Sequence, residues 1–188
     1  MPAWAAVWDV QNQWSPAWEE AYSKWLESHW DVDSLAKPGT DYADLKVDCA
    51  DAVYSARIIF SYENKLPFAM KDPTGGSNII SQAMSRWDDL PVNKRIRKFL
   101  QMVYGTGGTS TLPGDTFPVA VDRQWVRPGT ILLVDKTNHH SWTIKSISET
   151  GVPTFIYSTR PARTTMSKKV GMPHTEYIFP RGIAPEYH

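Results

Sequence analysis

Apolar positions recur at helical spacing in the first half of the chain and at strand spacing in the second. Ser15-Pro16 starts a helix, with Ser as cap and Pro in the first turn. Trp18, Tyr22, Trp25 and His29 follow at i, i+4, i+7 and i+11, on one face. That is the spacing of an amphipathic helix that buries an aromatic stripe on its own domain. The stretch 47–60 is different. From Ala50 to Phe60 nearly every side is small or apolar, Ser55 and Arg57 excepted. A helix apolar around most of its girth is a buried one. Arg57 is expected to pair with a carboxylate inside the domain. The helix should end near Asn64, before Leu66-Pro67. Ser77 reads as the cap of a further helix, with Ile79, Ile80, Ala83, Met84 and Trp87 on one face. Pro91 opens another, with Val92, Ile96, Phe99, Leu100 and Val103 as core face, Lys94, Arg95, Arg97 and Lys98 on a solvated side, and Gly105 as its stop. The segment 105–116 is Gly-rich and without period: a plain connection or a flap.

Beyond it the period changes to two. Segments 117–121, 130–134, 141–147 and 153–158 read as short strands divided by turn signals, and 176–179 as one more. Helices first and closely joined strands second predict an α+β domain with a mainly antiparallel sheet. The length fits one domain, 1–188, in which 1–44 is a Trp-rich helical elaboration.

Composition narrows the function. Lys plus Arg and Asp plus Glu each number 20, so the formal net charge is zero. This excludes a binder of nucleic acid or anionic membrane that relies on excess positive charge. No run is long enough to span a bilayer. The segment 1–10 lacks the basic start and apolar run of a signal peptide. A cytoplasmic location and an extracytoplasmic one after signal removal both remain open, the second favoured. A monomer is expected. With one Cys and scattered His, no metal or other cofactor is expected.

The single cysteine, Cys49, follows Asp48, a good N-cap, and Asp51 stands where a carboxylate suits the helix dipole. A thiol at a helix N-terminus favours the nucleophilic thiolate. Such chemistry needs a base in hydrogen-bond reach and a group to orient that base. In the strand that begins near 140, His140, Trp142 and Ile144 share one face; His139, Ser141, Thr143 and Lys145 share the other. If the apolar face packs onto the Cys49 helix, His140 points to the thiol and His139 to solvent or substrate. On the next strand Phe155, Tyr157 and Thr159 would lie beside Ile144, Trp142 and His140, so Tyr157 or Thr159 would orient the imidazole. A one-residue slip substitutes Thr154, Ile156 and Ser158.

These residues carry a resemblance. Asp48-Cys49-Ala50-Asp51, then Arg127-Pro128-Gly129-Thr130-Ile131-Leu132-Leu133-Val134, then His140-Ser141-Trp142-Thr143-Ile144, is similar in order and setting to the papain-like cysteine hydrolases. The NlpC-type cell-wall peptidases and amidases look closest. There an Asp-Cys helix start carries the nucleophile, a Pro-Gly-Asp turn leads into a strand, and the base His opens the next. Thr130 stands here in place of Asp, and the gap from Cys49 to His140 is longer than is usual for that family. The likeness covers about 45–158. It implies a papain-like core and a thiol hydrolase that cleaves an amide bond, with peptide or peptidoglycan fragments as substrates. Cys49, His140 and Tyr157 would be catalytic, with Asp48, Asp51, His139 and Trp142 lining the substrate site. Tyr157 falls where the family has His, Asn or Gln. Cys49, Leu66-Pro67 and His140-Ser141-Trp142 also resemble a transglutaminase-like core, so an acyltransferase is the first alternative. A non-catalytic cell-wall or glycan-binding module, using the N-terminal Trp residues, is the second.

Overall fold

The computed structural model describes residues 6–75, 78–122, 124–134, 140–172 and 179–183, the last five by backbone alone. Helix α1 (Pro16–Ser28) and helix α2 (Cys49–Glu63) come first. A hairpin of β1 (Ala69–Lys71) and β2 (Ile79–Ser81) leads to helix α3 (Val92–Thr106) and one turn of helix, α4 (Leu112–Asp115). The second half supplies β3 (Thr116–Pro118), β4 (Ile131–Val134), β5 (His140–Ile147), β6 (Pro153–Tyr157), β7 (Ser167–Val170) and β8 (Phe179–Ile183). Among the described residues these form one sheet in the order β3-β8-β4-β5-β6-β7, with every pair antiparallel. The architecture is α+β. No helix of the described residues is long and apolar enough to cross a membrane.

The helices start and stop where their caps dictate. The Ser15 hydroxyl accepts from Trp18 N–H at the head of α1, with Pro in the first turn. Asp48 and Asp51 form a reciprocal capping box at the head of α2: the Asp48 carboxylate accepts from the Ala50 and Asp51 amides, and Asp51 Oδ2 accepts from Asp48 N–H at 3.0 Å. Pro91 opens α3, which runs one residue past Gly105 and is capped by Gly107.

Every residue of α2 from Cys49 to Ser61 is buried. Arg57, 1% exposed, is held by Glu19 of α1 through two hydrogen bonds, Nη1 to Oε2 at 3.0 Å and Nη2 to Oε1 at 2.6 Å. Its guanidinium lies 3.3 Å from the centre of the Trp14 ring. The aromatic stripe of α1 packs as its spacing predicts: Tyr22 is buried, and Trp18, Tyr22 and Trp25 all set their rings against Phe60 of α2. Trp8, Trp14 and Trp30 are also buried, and the Trp8 and Trp14 indoles donate to the Leu66 and Pro67 carbonyls, both at 2.9 Å. Trp4 lies outside the described residues.

Two expectations are corrected. The helix placed after Ser77 is replaced by β2 and a run of turns. Ile80 is buried and Ile79 is 58% exposed, an alternation of period two, and β2 pairs antiparallel with β1. Two adjacent β-branched residues favour that pairing over a helix. Second, the basic side of α3 is only partly solvated. Arg95 donates to the carbonyls of Leu90, Ala6 and Asp88, and Arg97 to that of Ala43, so both tie the helix to neighbouring loops; Lys94 and Lys98 are exposed.

The middle of the sheet, β4 and most of β5, is buried on both faces, while β7 at its edge is exposed. Ile131, Leu133 and Ile156 belong to the main core with α2 and α3. Leu132, Val134, Trp142, Ile144 and Phe155 form a second cluster. Because β4 and β5 pair Ile131 with Thr143 and Leu133 with Ser141, the face of β5 on the helix side is the one with Ser141, Thr143 and Lys145. All three are buried.

Candidate active site

Cys49 is the first residue of α2 and is 8% exposed. Two segments fix its surroundings. On the sheet side the Ser141 hydroxyl donates to the Cys49 carbonyl at 2.9 Å, so β5 lies directly against the head of α2. A residue as small as serine lets strand and helix approach this closely. On the other side the Gly-rich segment after α3 comes over the thiol. Cys49 Sγ and Thr109 Oγ1 share a hydrogen bond at 3.0 Å. That segment is anchored to α2: Tyr54 Oη donates to Asp115 Oδ2 at 2.8 Å, and Asp115 Oδ1 takes the Lys71 amide at 2.8 Å. Gly107 sits so close that an added Cβ would meet Tyr54 Cε2 at 3.0 Å and the Val103 carbonyl at 3.3 Å.

A third segment closes the mouth. After β6 the Ser158 hydroxyl donates to the Val47 carbonyl at 2.7 Å, and Val47 and Arg163 exchange backbone hydrogen bonds at 2.9 and 3.1 Å. The strap between these ties carries Arg160, whose Nε donates to Asp48 Oδ2 at 3.1 Å. Thus Asp48 serves both the helix amides and the strap.

Electrostatics at this end are unusual for carboxylates. Burial, reinforced by the neighbouring Asp48 charge, pushes the Asp51 carboxyl up to about 7, against the opposing pull of the Asp48 amide and of Arg160. Burial lowers the pKa of His140, while the Asp48 charge works against that.

The expected site residues are brought together only in part. Asp48, Cys49 and Asp51 share the head of α2. His140, Trp142 and Tyr157 form a separate group: the His140 ring stands edge-on to Trp142 at 4.3 Å and to Tyr157 at 5.8 Å. The expected register holds, since Ile144 pairs with Phe155. The expected facing does not. The His140–Trp142–Ile144 parity belongs to the second cluster, and the Ser141 parity meets the Cys49 helix. Both faces of β5 are buried, so an apolar face had no unique claim on the helix. Tyr157 makes only ring contacts with His140, and no hydrogen bond joins Cys49 to His140 among the described residues. His139 and Asn138 lie outside the described residues. His29 is a surface residue at the end of α1.

Thr109 and Arg160 were not singled out by sequence. The signals were there: a threonine inside Gly-Thr-Gly-Gly-Thr, and a cation before Pro161, where the chain leaves its strand. A cleft of about 490 Å³, lined by Val126, Arg127, Pro128, Ile147 and Glu149, opens at the opposite end of β5 and is remote from the thiol. No cluster of three or more His, Cys, Asp or Glu suited to a metal occurs among the described residues.

Comparison with protein-family models, with curated proteins and with solved structures gave no match.

Proposed function

We propose that the chain is a cysteine hydrolase with a papain-like core, cleaving amide bonds with Cys49 as nucleophile. The observation that supports this best is the placement of the only cysteine as first residue of a helix buried from Cys49 to Ser61, with the antiparallel strand β5, which begins at His140, laid against it. In the proposed reaction the Cys49 thiolate attacks the carbonyl carbon. The tetrahedral oxyanion is met by the Cys49 amide, because Asp48 caps the Ala50 and Asp51 amides and leaves that of Cys49 to the substrate. The Thr109 hydroxyl orients the sulfur. The base donates a proton to the leaving amine, an acyl-enzyme forms, and water activated by the same base releases the acid.

The base belongs to the pair His139-His140. Of the two, His140 opens β5, with the Asp48 charge acting on its ring, and His139 lies outside the described residues. Peptidoglycan peptides remain the proposed substrate class. The burial of Trp8, Trp14 and Trp30 removes much of the aromatic surface that a glycan-binding module would use.

The test is hydrolysis of peptidoglycan fragments, together with alkylation of the thiol by iodoacetamide. Cys49→Ala should abolish turnover while leaving the fold nearly intact. Alanine in place of the base, His140 or His139, should reduce turnover and neutral-pH alkylation together. Full turnover by Cys49→Ala would refute the assignment. Loss on His140→Ala alone would assign the base role to that residue. Capture of the acyl group by added amines in preference to water would make the chain an acyltransferase.

A further inference from the structure

Resting on the hydrolase reading above, we propose that Arg160 selects substrates that carry a carboxylate beside the scissile amide. The strap that holds Arg160 is fastened at both ends to Val47, two residues before Cys49. The guanidinium is therefore held at the mouth of the thiol site. Its side chain is 86% exposed. Only Nε is engaged, by Asp48; the two terminal amino groups make no hydrogen bond within the described residues. A guanidinium presents its donors as a planar fork that matches a carboxylate. Arg160 has one edge fixed on the protein and the other turned outward.

The way Asp48 is shared leaves donors for an anion here. The Asp48 carboxylate is matched from inside by the Ala50 and Asp51 amides at the positive end of α2. Asp48 is thus shared between those amides and the Nε edge of Arg160, and the outer edge of the guanidinium keeps its donors for an anion. Arg160 is hydrogen-bonded to Asp48, the residue that directly precedes Cys49. The position is thus within reach of a group attached to the acyl carbon or to the leaving amine. A neutral peptide would leave the outer edge of the fork to water.

A pair of alkylating reagents tests this without a known substrate. Cys49 is the only cysteine, so labelling of the full chain reports on it alone. Iodoacetate and iodoacetamide differ by one charge; with either, the sulfur displaces iodide and leaves a thioether. The readout is the ratio of their rate constants at neutral pH and low salt. Arg160→Gln should lower the iodoacetate-to-iodoacetamide ratio about five-fold, the size expected for one charge acting across several ångströms near a protein surface. Arg160→Lys should fall between, keeping the charge and losing the fork. About 0.5 M salt should shrink the wild-type preference. Arg127→Gln, at the far end of β5, should leave the ratio unchanged. An unchanged ratio in Arg160→Gln, or an equal fall in Arg127→Gln, overturns the proposal and leaves the hydrolase reading standing. A thiol inert to both reagents overturns the hydrolase reading and this inference with it.

Discussion

The Arg57–Glu19 pair allows one prediction worked through from the coordinates. Arg57 is 1% exposed and Glu19 19%, and the two close ranks through both forks. Glu19→Ala strands a guanidinium in the core, with only the ring faces of Trp14 at 3.3 Å and Tyr22 at 4.9 Å to stabilise it. Breaking a buried pair from one side costs about 3–5 kcal/mol. Arg57→Met is different. It removes the buried charge, fills much of the volume, and leaves Glu19 able to hydrate; a cost of about 1–2 kcal/mol is expected, from lost cation–π and packing contacts. The double variant should cost little more than Arg57→Met, which makes the coupling energy about 3 kcal/mol. Urea unfolding at pH 7 measures all three, through midpoints at constant slope. In thermal melts Glu19→Ala should fall by about 10 °C. A loss below about 1 kcal/mol in Glu19→Ala, or costs that simply add, would refute the argument that this pair locks α1 onto α2.

Other expectations concern the site. Asp51 has its pKa raised to about 7, so its protonated form is the one the fold prefers. Its stabilising contribution is therefore complete below about pH 4 and is lost as pH rises through about 7. The three-unit displacement corresponds to about 4 kcal/mol, reduced to about 2 because the carboxyl is coupled to Asp48. Against Asp51→Asn, the wild type should lose about this much relative stability between pH 4.5 and 8 in paired melts; parallel curves would refute it. Ser141→Ala should cost about 1 kcal/mol for the lost hydrogen bond to the Cys49 carbonyl, and Ser141→Leu about 3 kcal/mol or more by forcing β5 off α2; equal melting temperatures for the two would contradict the close approach. Gly107→Ala should displace Thr109 by pressing on Tyr54, and so change the iodoacetamide rate at Cys49 while costing about 1–2 kcal/mol. An unaltered rate would show that Thr109 does not control the thiol.

Much of the fold is legible in the residues. Asp48 and Asp51 announce the head of α2, and its apolar girth announces its burial. Pro91 opens α3 and the Pro128-Gly129 turn precedes β4 as expected, whereas β7 had no signal that was read, and most of the strand expected at 176–179 lies outside the described residues. The failures have physical causes. Ile79-Ile80 with Ala83, Met84 and Trp87 has helical spacing, but β-branching and a partner in β1 prevailed. The facing of β5 was misread because polar residues were assigned to solvent. Ser141 and Thr143 are instead the small residues that close strand-to-helix packing needs. The Lys145 amine is spent on the carbonyls of Leu26, Glu27 and Trp30 at the end of α1, with Asp31 nearby. A lysine that serves as a C-terminal cap of a distant helix has no signature in its own strand. Thr109 and Arg160 reach the site through tertiary folding alone, so spacing could not reveal them.

The ties around the thiol are separated widely along the chain. Ser141 stands 92 residues from Cys49, and Ser158 stands 111 from Val47. On a ribosome, Cys49 is made long before anything that orients it. A nascent or partly folded chain carries an ordinary sulfhydryl, without Thr109 above it or Arg160 at its rim. Contacts of this range are slow to form. The surroundings of the thiol would therefore be complete only after the strap beyond β6 docks on Val47, and on the proposed reading that sets a delay between making Cys49 and arming it.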